Sequence, residues 1–303
     1  MFTSRRSLLA GVGGVSLGSV VNALQPRQAS SGEAALPVAS EGGEELVAAA
    51  ANDALEGAYG QHKGKRRNHT KGFGAVGYFV GTKEAVELSR SGLFAGDRIE
   101  VIARFSLAGG DPSASDSERS PRGLGLEFRL KGGALHHMTM IHTPMFYTFR
   151  FIDHNERPTN VRWHFVSEDG EKTLTDAQLA QKPQDFLEEA LRARLKKGPI
   201  RWDMIVTIGE PGDSEDDPTI LWPSGRREVR AGTLTLISSS PDQVSGAYNI
   251  NFDAMLMADG VEPTNDPILR FRSSSYAISH SRRLIEVSSK AQQIERSSLG
   301  SRA

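Results

Sequence analysis

Two short stretches, far apart in the chain, carry side chains that could do chemistry. In the first, Lys65–Phe79, Arg66 stands three residues before His69 and a glycine-rich run follows. An imidazole can take up and return a proton near neutral pH, so His69 is a candidate general acid–base group. In the second, near the C-terminus, Arg272 and Tyr276 are four residues apart. A tyrosine beside an arginine is a candidate metal ligand, since a neighbouring cation favours the charged phenolate.

The second stretch needs a helix to position it. Asp266 followed by a proline provides an N-cap and a first-turn residue for a helix over residues 268–284. On this helix Arg272, Tyr276 and Arg283 face one way. A phenol has an unperturbed pKa of about 10, so a phenolate ligand needs a cation or a ferric ion beside it. The alternative is an ordinary surface pair.

The glycines of the first stretch raise a different possibility. Gly72, Gly74 and Gly77 spell G-x-G-x-x-G, which supports a dinucleotide site only between an apolar strand and a helix. The preceding residues are basic and polar, and residues 77–82 favour a strand. We therefore expect the glycines to let the chain pass close to a flat, bulky group as it enters a strand, with His69 at the edge of a pocket. The alternative is a strand-entry loop with an incidental histidine.

Most of the remaining pattern predicts short strands. Helices are expected over residues 45–57 and over residues 174–196, the latter divided at Pro183. Alternating apolar and polar residues, bounded by turn residues, predict an α+β fold in which a mainly antiparallel barrel is flanked by helices. The expected strands are residues 99–106, 123–130, 137–140, 146–153, 161–166, 202–208, 233–237 and 248–252.

Composition narrows the function. The chain has 303 residues, 38% hydrophobic content and a net charge of −1, which gives no reason to expect nucleic acid or a membrane surface as a partner. It contains no cysteine, so disulfides, thiolate nucleophiles, iron–sulfur clusters and thiolate-ligated haem are excluded. Any redox chemistry must use other ligands.

Both stretches resemble one known family. The run HTKGFGAVGYF from His69, with Arg66 ahead of it, resembles the distal-histidine motif of haem catalases. The segments NFDAM, GVEPTNDPILRFRSSSY and HSRRL, within residues 251–284, resemble the proximal segment of that family. The resemblance covers about residues 45–284. It implies a catalase-like β-barrel flanked by helices, with haem b iron in a pocket between the barrel and the C-terminal helix.

The same resemblance implies a role for each site residue. Tyr276 is expected to be the axial ligand of the haem iron, with Arg272 as its partner. Ser106, in a strand that leads to two glycines, is expected to hydrogen-bond the catalytic His69. The remaining residues expected to bind the cofactor are Arg66, Arg104 and Arg283, which would hold the propionates, and Phe146, which lies in a segment that packs aromatic rings on the distal side.

The chain also departs from the family. Ile141, with His142 beside it, stands where catalases have an asparagine, and we expect the chain to lack the catalase C-terminal domain as well as length after residues 143–147. It therefore resembles a minimal catalase core, the catalase-related peroxidase type. This implies a haem peroxidase that reduces hydrogen peroxide or organic hydroperoxides through a ferryl intermediate, with at most weak catalase activity. Its partners would be a peroxide and a small-molecule or protein electron donor.

Other functions stay open on the sequence alone. A hydroperoxide-rearranging enzyme similar to allene oxide synthase, or a haem-binding module without turnover, would use the same core. The retained His69 and Arg66 argue against the module, because a haem carrier needs no proton shuttle. A metal site at His136, His137 and His142 is disfavoured, because neighbouring strand residues point to opposite faces.

The N-terminus predicts export. Arg5 and Arg6 precede a stretch that has no charge from Leu8 to Gln25, as in a twin-arginine signal peptide. A short amphipathic helix is the weaker alternative. We expect a signal peptide over residues 1–23, a flexible linker over 24–44, the catalase-like haem domain over 45–286 and a polar tail over 287–303. The mature protein is expected to be periplasmic.

Overall fold

The structure is a computed structural model that describes residues 41–118, 120–140 and 147–300; for residues 41–46, 134–140 and 291–300 it describes the backbone alone. The predicted signal peptide, nearly all of the linker, the predicted site residue Phe146, and Ile141 and His142 lie outside the described residues.

One antiparallel sheet forms the body of the protein. Its hydrogen-bonded order is β4-β3-β2-β1-β8-β7-β6-β5-β9, with β4 and β9 at the two ends. The strands of the described chain are β1 Gly72–Gly81, β2 Arg98–Leu107, β3 Arg122–Leu130, β4 Gly133–Met140, β5 Phe149–Ile152, β6 Pro158–Ser167, β7 Ile200–Ile208, β8 Glu228–Pro241 and β9 Val261–Pro263.

The sheet curls strongly around an aromatic core. Phe105 on β2 and Trp202 on β7 have ring centroids 6.1 Å apart, although two other strands lie between them in the sheet. In a flat sheet, three strand spacings would separate them by about 14 Å. The concave face therefore closes over buried rings such as Phe79, Phe128 and Trp163. The predicted mainly antiparallel barrel is confirmed as a curled half-barrel, in which β4 and β9 are the end strands of the sheet that the structure describes.

Helices flank the sheet, as predicted. Asp266 Oδ1 accepts hydrogen bonds from the backbone nitrogens of Ile268 (2.8 Å) and Leu269 (3.2 Å), which caps the last helix as its sequence indicated. None of the described helices is long and apolar enough to cross a membrane. The helices are α1 Glu41–Tyr59, α2 Lys83–Leu88, α3 Asp176–Leu179, α4 Phe186–Leu195 and α5 Pro267–Gly300, with 3₁₀ turns at Gly92–Phe94 and Asp242–Val244.

An ion-pair network joins α1, α5 and the loop that leads to His69. Arg67, in this loop, pairs with Glu56 of α1 at 2.6 Å and with Glu286 of α5 at 2.5 Å. Arg282 of α5 also pairs with Asp53 of α1 at 2.6 Å. Because the loop is tied to both helices, residues 65–71 have a fixed path into β1.

One expected strand and the ends of two helices differ from the sequence prediction. The prediction of a strand at residues 248–252 is wrong. The carbonyls of Ala247, Tyr248 and Ile250 accept hydrogen bonds from Arg66 instead of pairing with a neighbouring strand. The helix expected over residues 268–284 is longer than expected: α5 continues as far as Gly300, since no glycine or proline interrupts it before that point. Helix α1 begins at Glu41, inside the last residues of the expected linker.

Candidate active site

His69 is held in a strained backbone conformation. Its φ angle is 53°, in the left-handed region that a residue with a side chain occupies at a cost of about 1–3 kcal/mol. Asn68 Oδ1 accepts hydrogen bonds from the backbone nitrogens of His69 and Gly109, both at 2.9 Å. Arg104 Nη1 donates to the His69 carbonyl, also at 2.9 Å. These contacts compensate the strain and fix the direction in which the imidazole points.

Two neighbouring strands fix the imidazole ring itself. His69 Nδ1 lies 3.0 Å from Ser106 Oγ on β2, and both side chains are buried. Gly123 on β3 lies against the same edge of the ring: a Cβ there would be 2.8 Å from Ser106 Oγ and 3.0 Å from His69 Nδ1. Any larger residue at this position would displace the pair. The hydrogen bond at Nδ1 leaves Nε2 to exchange a proton with a substrate.

The surroundings keep His69 neutral. Burial, together with the positive charges of Arg272 and Arg104, lowers the pKa of its imidazole from the ordinary 6.5 to about 3. At neutral pH the ring is therefore a free base that can accept a proton.

A cluster of buried arginines surrounds one carboxylate, Asp242. Arg104 donates to both of its oxygens, at 2.9 and 3.0 Å, and Arg66 approaches it to 3.8 Å. Burial, followed by the charges of Arg104 and Arg283, lowers the pKa of Arg66 to about 8. Arg283 is 2% exposed, and its buried Nε has no hydrogen-bond partner. Within the described residues, three guanidinium groups thus face a single carboxylate at this point.

Helix α5 supplies the opposite part of the site. Arg272 donates hydrogen bonds to the Tyr276 oxygen from Nε at 3.1 Å and from Nη2 at 2.5 Å. Burial alone would lower the pKa of Arg272, but Tyr276 and Tyr147 raise it above its ordinary value, so the group stays a cation. Its guanidinium also lies 4.8 Å from the Tyr147 ring centroid. A cation directed at a phenolic oxygen is the arrangement that a phenolate ligand of ferric iron requires.

The structure brings these parts together in one place. The charges of Arg272, Arg104 and Arg66 all act on the His69 imidazole, although these residues come from α5, β2 and the loop before β1. The predicted site residues that the structure describes and that take part in these contacts are Arg66, His69, Arg104, Ser106, Arg272, Tyr276 and Arg283.

Sequence reasoning missed three residues of this site. Asp242 follows β8 and had no recognisable motif around it. Asn68 lies within the Lys65–Phe79 stretch without a predicted role, and Gly123 is predicted only as the first residue of a strand. Their roles depend on contacts across the sheet: Gly123 lies beside His69, 54 positions earlier in the chain. No local pattern marks Asp242, because only the fold shows that several arginines are buried together and need a buried anion.

The described residues fit a haem. Its two propionates would supply negative charge to the arginine cluster, where Arg283 Nε is buried without a partner. The Tyr276 oxygen, bound by Arg272, suits a ferric ion. The chain has no cysteine to serve instead.

Comparison with known proteins agrees with this chemistry. The catalase family model matches residues 60–148 and 136–297. A catalase-related peroxidase of Synechococcus elongatus is 40% identical, over 76% of this chain and 86% of that protein. A second catalase-related peroxidase, from Mycolicibacterium paratuberculosis, is 28% identical over 75% of this chain and 91% of its own length. The solved structure of catalase A from Saccharomyces cerevisiae matches the fold with a TM-score of 0.67 at 19% identity, covering 86% of this chain and 68% of that one.

Proposed function

The chain belongs to the catalase family, and we propose that it is a haem peroxidase that reduces hydrogen peroxide or organic hydroperoxides with electrons from an external donor. The observation that carries this proposal is a neutral, oriented His69 in one site with the Arg272–Tyr276 pair. A binding module needs a ligand for its cofactor, but it has no use for a strained histidine held by Asn68, Arg104 and Ser106.

We assign the cofactor contacts as follows. When bound, haem supplies an iron that exchanges electrons with the peroxide. The Tyr276 oxygen would hold that iron, and Arg272 keeps the phenolic oxygen oriented and compensates its charge. The propionates would lie against Arg66, Arg104 and Arg283, where a buried carboxylate is already paired. We further propose that the haem is type b and that Phe146 packs on its distal face, as the family resemblance implies.

Proton transfer is the task of His69. Nε2 would take the proton from the attacking oxygen of the hydroperoxide and return it to the departing oxygen, which leaves as water or an alcohol. The ring can accept the first proton because it is neutral at physiological pH. Ser106 acts as a positioning residue, since its hydrogen bond at Nδ1 keeps Nε2 directed away from β2.

An optical titration tests the function directly. Purified protein reconstituted with haem should show a ferric haem spectrum that changes when one equivalent of peroxide is added and returns when a donor such as guaiacol follows. A protein that does not bind haem, or whose spectrum does not respond to peroxide, would contradict the proposal.

We also propose that peroxidase turnover exceeds oxygen evolution. Dismutation needs a second peroxide molecule to be positioned in the distal pocket. The family resemblance implies that Ile141 replaces an asparagine, and an isoleucine side chain cannot donate the hydrogen bond that the asparagine offers. Donor oxidation and oxygen release, measured side by side at matched peroxide concentrations, decide this point. Rapid oxygen release with negligible donor oxidation would refute it.

Export is a separate proposal. We infer a periplasmic location from Arg5 and Arg6 and the uncharged stretch that follows them. Cell fractionation should find the mature protein in the periplasm, and replacement of both arginines by lysine should retain it in the cytoplasm. Periplasmic accumulation of the double variant would contradict the twin-arginine route.

A further inference from the structure

A cavity lies behind the catalytic histidine and takes no part in the chemistry described so far. It has a volume of about 190 Å³ and lies between strands β1 to β3 and helix α4. Two aromatic rings line it, Phe73 and Phe105, and they are stacked with centroids 5.4 Å apart. The leucines Leu107, Leu187 and Leu191 complete its apolar wall. Phe73, Leu187 and Leu191 are only partly buried, so the cavity has an accessible mouth.

The cavity touches His69 through its neighbours. Ser106 and Gly123 both line it, and both contact the Nδ1 edge of the imidazole. The nitrogen that serves for proton exchange is Nε2, which points in a diverging direction from Nδ1. A molecule in the cavity therefore cannot be the peroxide that His69 deprotonates. A ligand in the cavity is therefore a molecule other than the peroxide, and the Ser106 side chain lies between it and the His69 imidazole.

Size and lining select an aromatic ring. A dry apolar cavity of about 150 Å³ is sufficient for benzene, so the present cavity suits a single ring with small substituents. The two stacked phenylalanines offer an aromatic surface for it, and aromatic pairs of this kind add to the stabilisation by burial.

Charge selects further among aromatic ligands. Three carboxylates, those of Asp116, Asp185 and Glu188, line the cavity together with two cations. Lys71 is already paired with Asp116 at 3.0 Å and Asp185 at 2.7 Å. The other cation, Arg122, donates to the backbone carbonyls of Ser120, Asp116 and Glu118. Glu188 is itself paired with Arg192. Within the part of the chain that the structure describes, the cations at the cavity are thus already engaged, so an anionic ligand would meet carboxylates and no unpaired cation, whereas a neutral or cationic ligand would not be repelled.

We propose that this cavity binds the electron donor of the enzyme, as a neutral or cationic single-ring phenol or arylamine. The inference rests on the proposed peroxidase function. Its redox balance is closed: one hydrogen peroxide accepts two electrons and two protons to give two waters. Two phenol molecules, binding in turn, each lose one electron and one proton and leave as phenoxyl radicals.

A binding experiment without peroxide tests the site independently of turnover. Guaiacol binding to the haem-loaded protein is measured by saturation-transfer NMR in the parent and in Leu191→Trp, whose larger side chain fills the cavity. The matched control is Ala190→Trp, on the adjacent exposed position of α4. Loss of the buried ring contacts should weaken guaiacol binding about 10- to 100-fold and raise its KM to a similar extent in Leu191→Trp, but not in the control. Equal affinity in Leu191→Trp, or an equal loss in Ala190→Trp, would overturn the proposal.

A milder variant tests the charge argument. Glu188 lines the cavity and Glu189 does not, so Glu188→Gln and Glu189→Gln form a matched pair. The parent should bind guaiacol more tightly than the anionic phenol 4-hydroxybenzenesulfonate. The ratio of these two affinities should fall about threefold or more in Glu188→Gln and stay unchanged in Glu189→Gln. An unchanged preference in Glu188→Gln would overturn the charge selection. If guaiacol binds as expected but peroxide causes no spectral change, the proposed peroxidase function fails while the binding site stands.

Discussion

Replacement of Asp242 by Asn should destabilise the haem-free protein far more than the haem-loaded protein. Asp242 binds Arg104 through two charge-assisted hydrogen bonds of 2.9 and 3.0 Å. The two side chains are only 4% and 7% exposed, so water cannot replace the lost charge. The variant leaves three buried guanidinium groups, those of Arg66, Arg104 and Arg283, without the carboxylate that they share.

The magnitude follows from burial. Breaking a buried ion pair by neutralising one partner costs about 3–5 kcal/mol. For a domain of this size each kcal/mol lowers the melting temperature by roughly 2–4 °C, so we expect a fall of about 10 °C in the haem-free protein. Bound haem would bring two carboxylates to the same arginines. In the haem-loaded protein the loss should therefore shrink to about half or less.

A matched pair on the surface provides the control. Asp169 binds Arg194 with the same two-pronged geometry, at 2.6 and 3.1 Å, but both side chains are 29% exposed. Asp169→Asn should cost far less, because solvent screens an exposed ion pair and little stability depends on it. Thermal unfolding followed by circular dichroism, with and without haem, compares the two variants. Equal losses in both would show that burial does not decide the effect, and an Asp242→Asn loss unaffected by haem would refute the assignment of the arginines to the propionates.

The remaining predictions concern the two chemical groups. Tyr276→Phe should lose most haem affinity, measured by haem titration, because the other candidate on α5, His280, already binds the Asn249 carbonyl through Nε2 at 3.0 Å; an unchanged spectrum and rate would exclude Tyr276 as ligand. His69→Ala should keep its haem but slow the peroxide-induced spectral change by roughly 10²–10⁴, as expected for loss of a general acid–base group; equal rates would exclude that role. The pKa of His69 lies near 3, below its ordinary 6.5, so the peroxide step should show no His69 inflection near pH 6.5. Because the pKa of His69 is lower in the folded protein than in the unfolded chain, the stability that His69 contributes is fully present above pH 6.5 and is lost as the pH falls toward 3. Acid unfolding of the parent and of His69→Ala measures this loss.

Local signals made much of the architecture predictable. Alternating residues located the strands that became β2, β3, β6 and β7, and the aspartate–proline pair located the start of α5. Such signals act over a few residues and need no knowledge of the fold. They fail where tertiary contacts decide, as at residues 247–250, whose alternating sequence looks like a strand but whose carbonyls serve as acceptors for Arg66.

The active site needed more than local pattern. Proton-transfer and phenolate chemistry could be inferred for His69 and Tyr276 from their own neighbourhoods. The hydrogen bond between His69 and Ser106 joins residues 37 positions apart, and only the family resemblance predicted it. Asp242 lies 138 positions from Arg104, and their contact exists only because the loop after β8 returns to β2. No pattern in the sequence identifies such a pair.

The distribution of unfavourable features indicates where this protein is adapted to bind something. Strain at His69, a buried Arg283 nitrogen without a partner and the lowered pKa of Arg66 all occur within one small region. Each of these features costs folding energy, and a sequence selected for stability alone would remove them. An anionic, planar cofactor compensates the two electrostatic costs, because its carboxylates satisfy the arginines. The strain at His69 is not relieved by those carboxylates; the hydrogen bonds of Asn68 and Arg104 compensate it and fix the backbone, and with it the direction of the imidazole. Binding of the cofactor thus explains the electrostatic costs of the arginines, and catalysis explains the conformational cost at His69. A haem carrier would therefore be expected to keep the arginine cluster and lose the strained histidine.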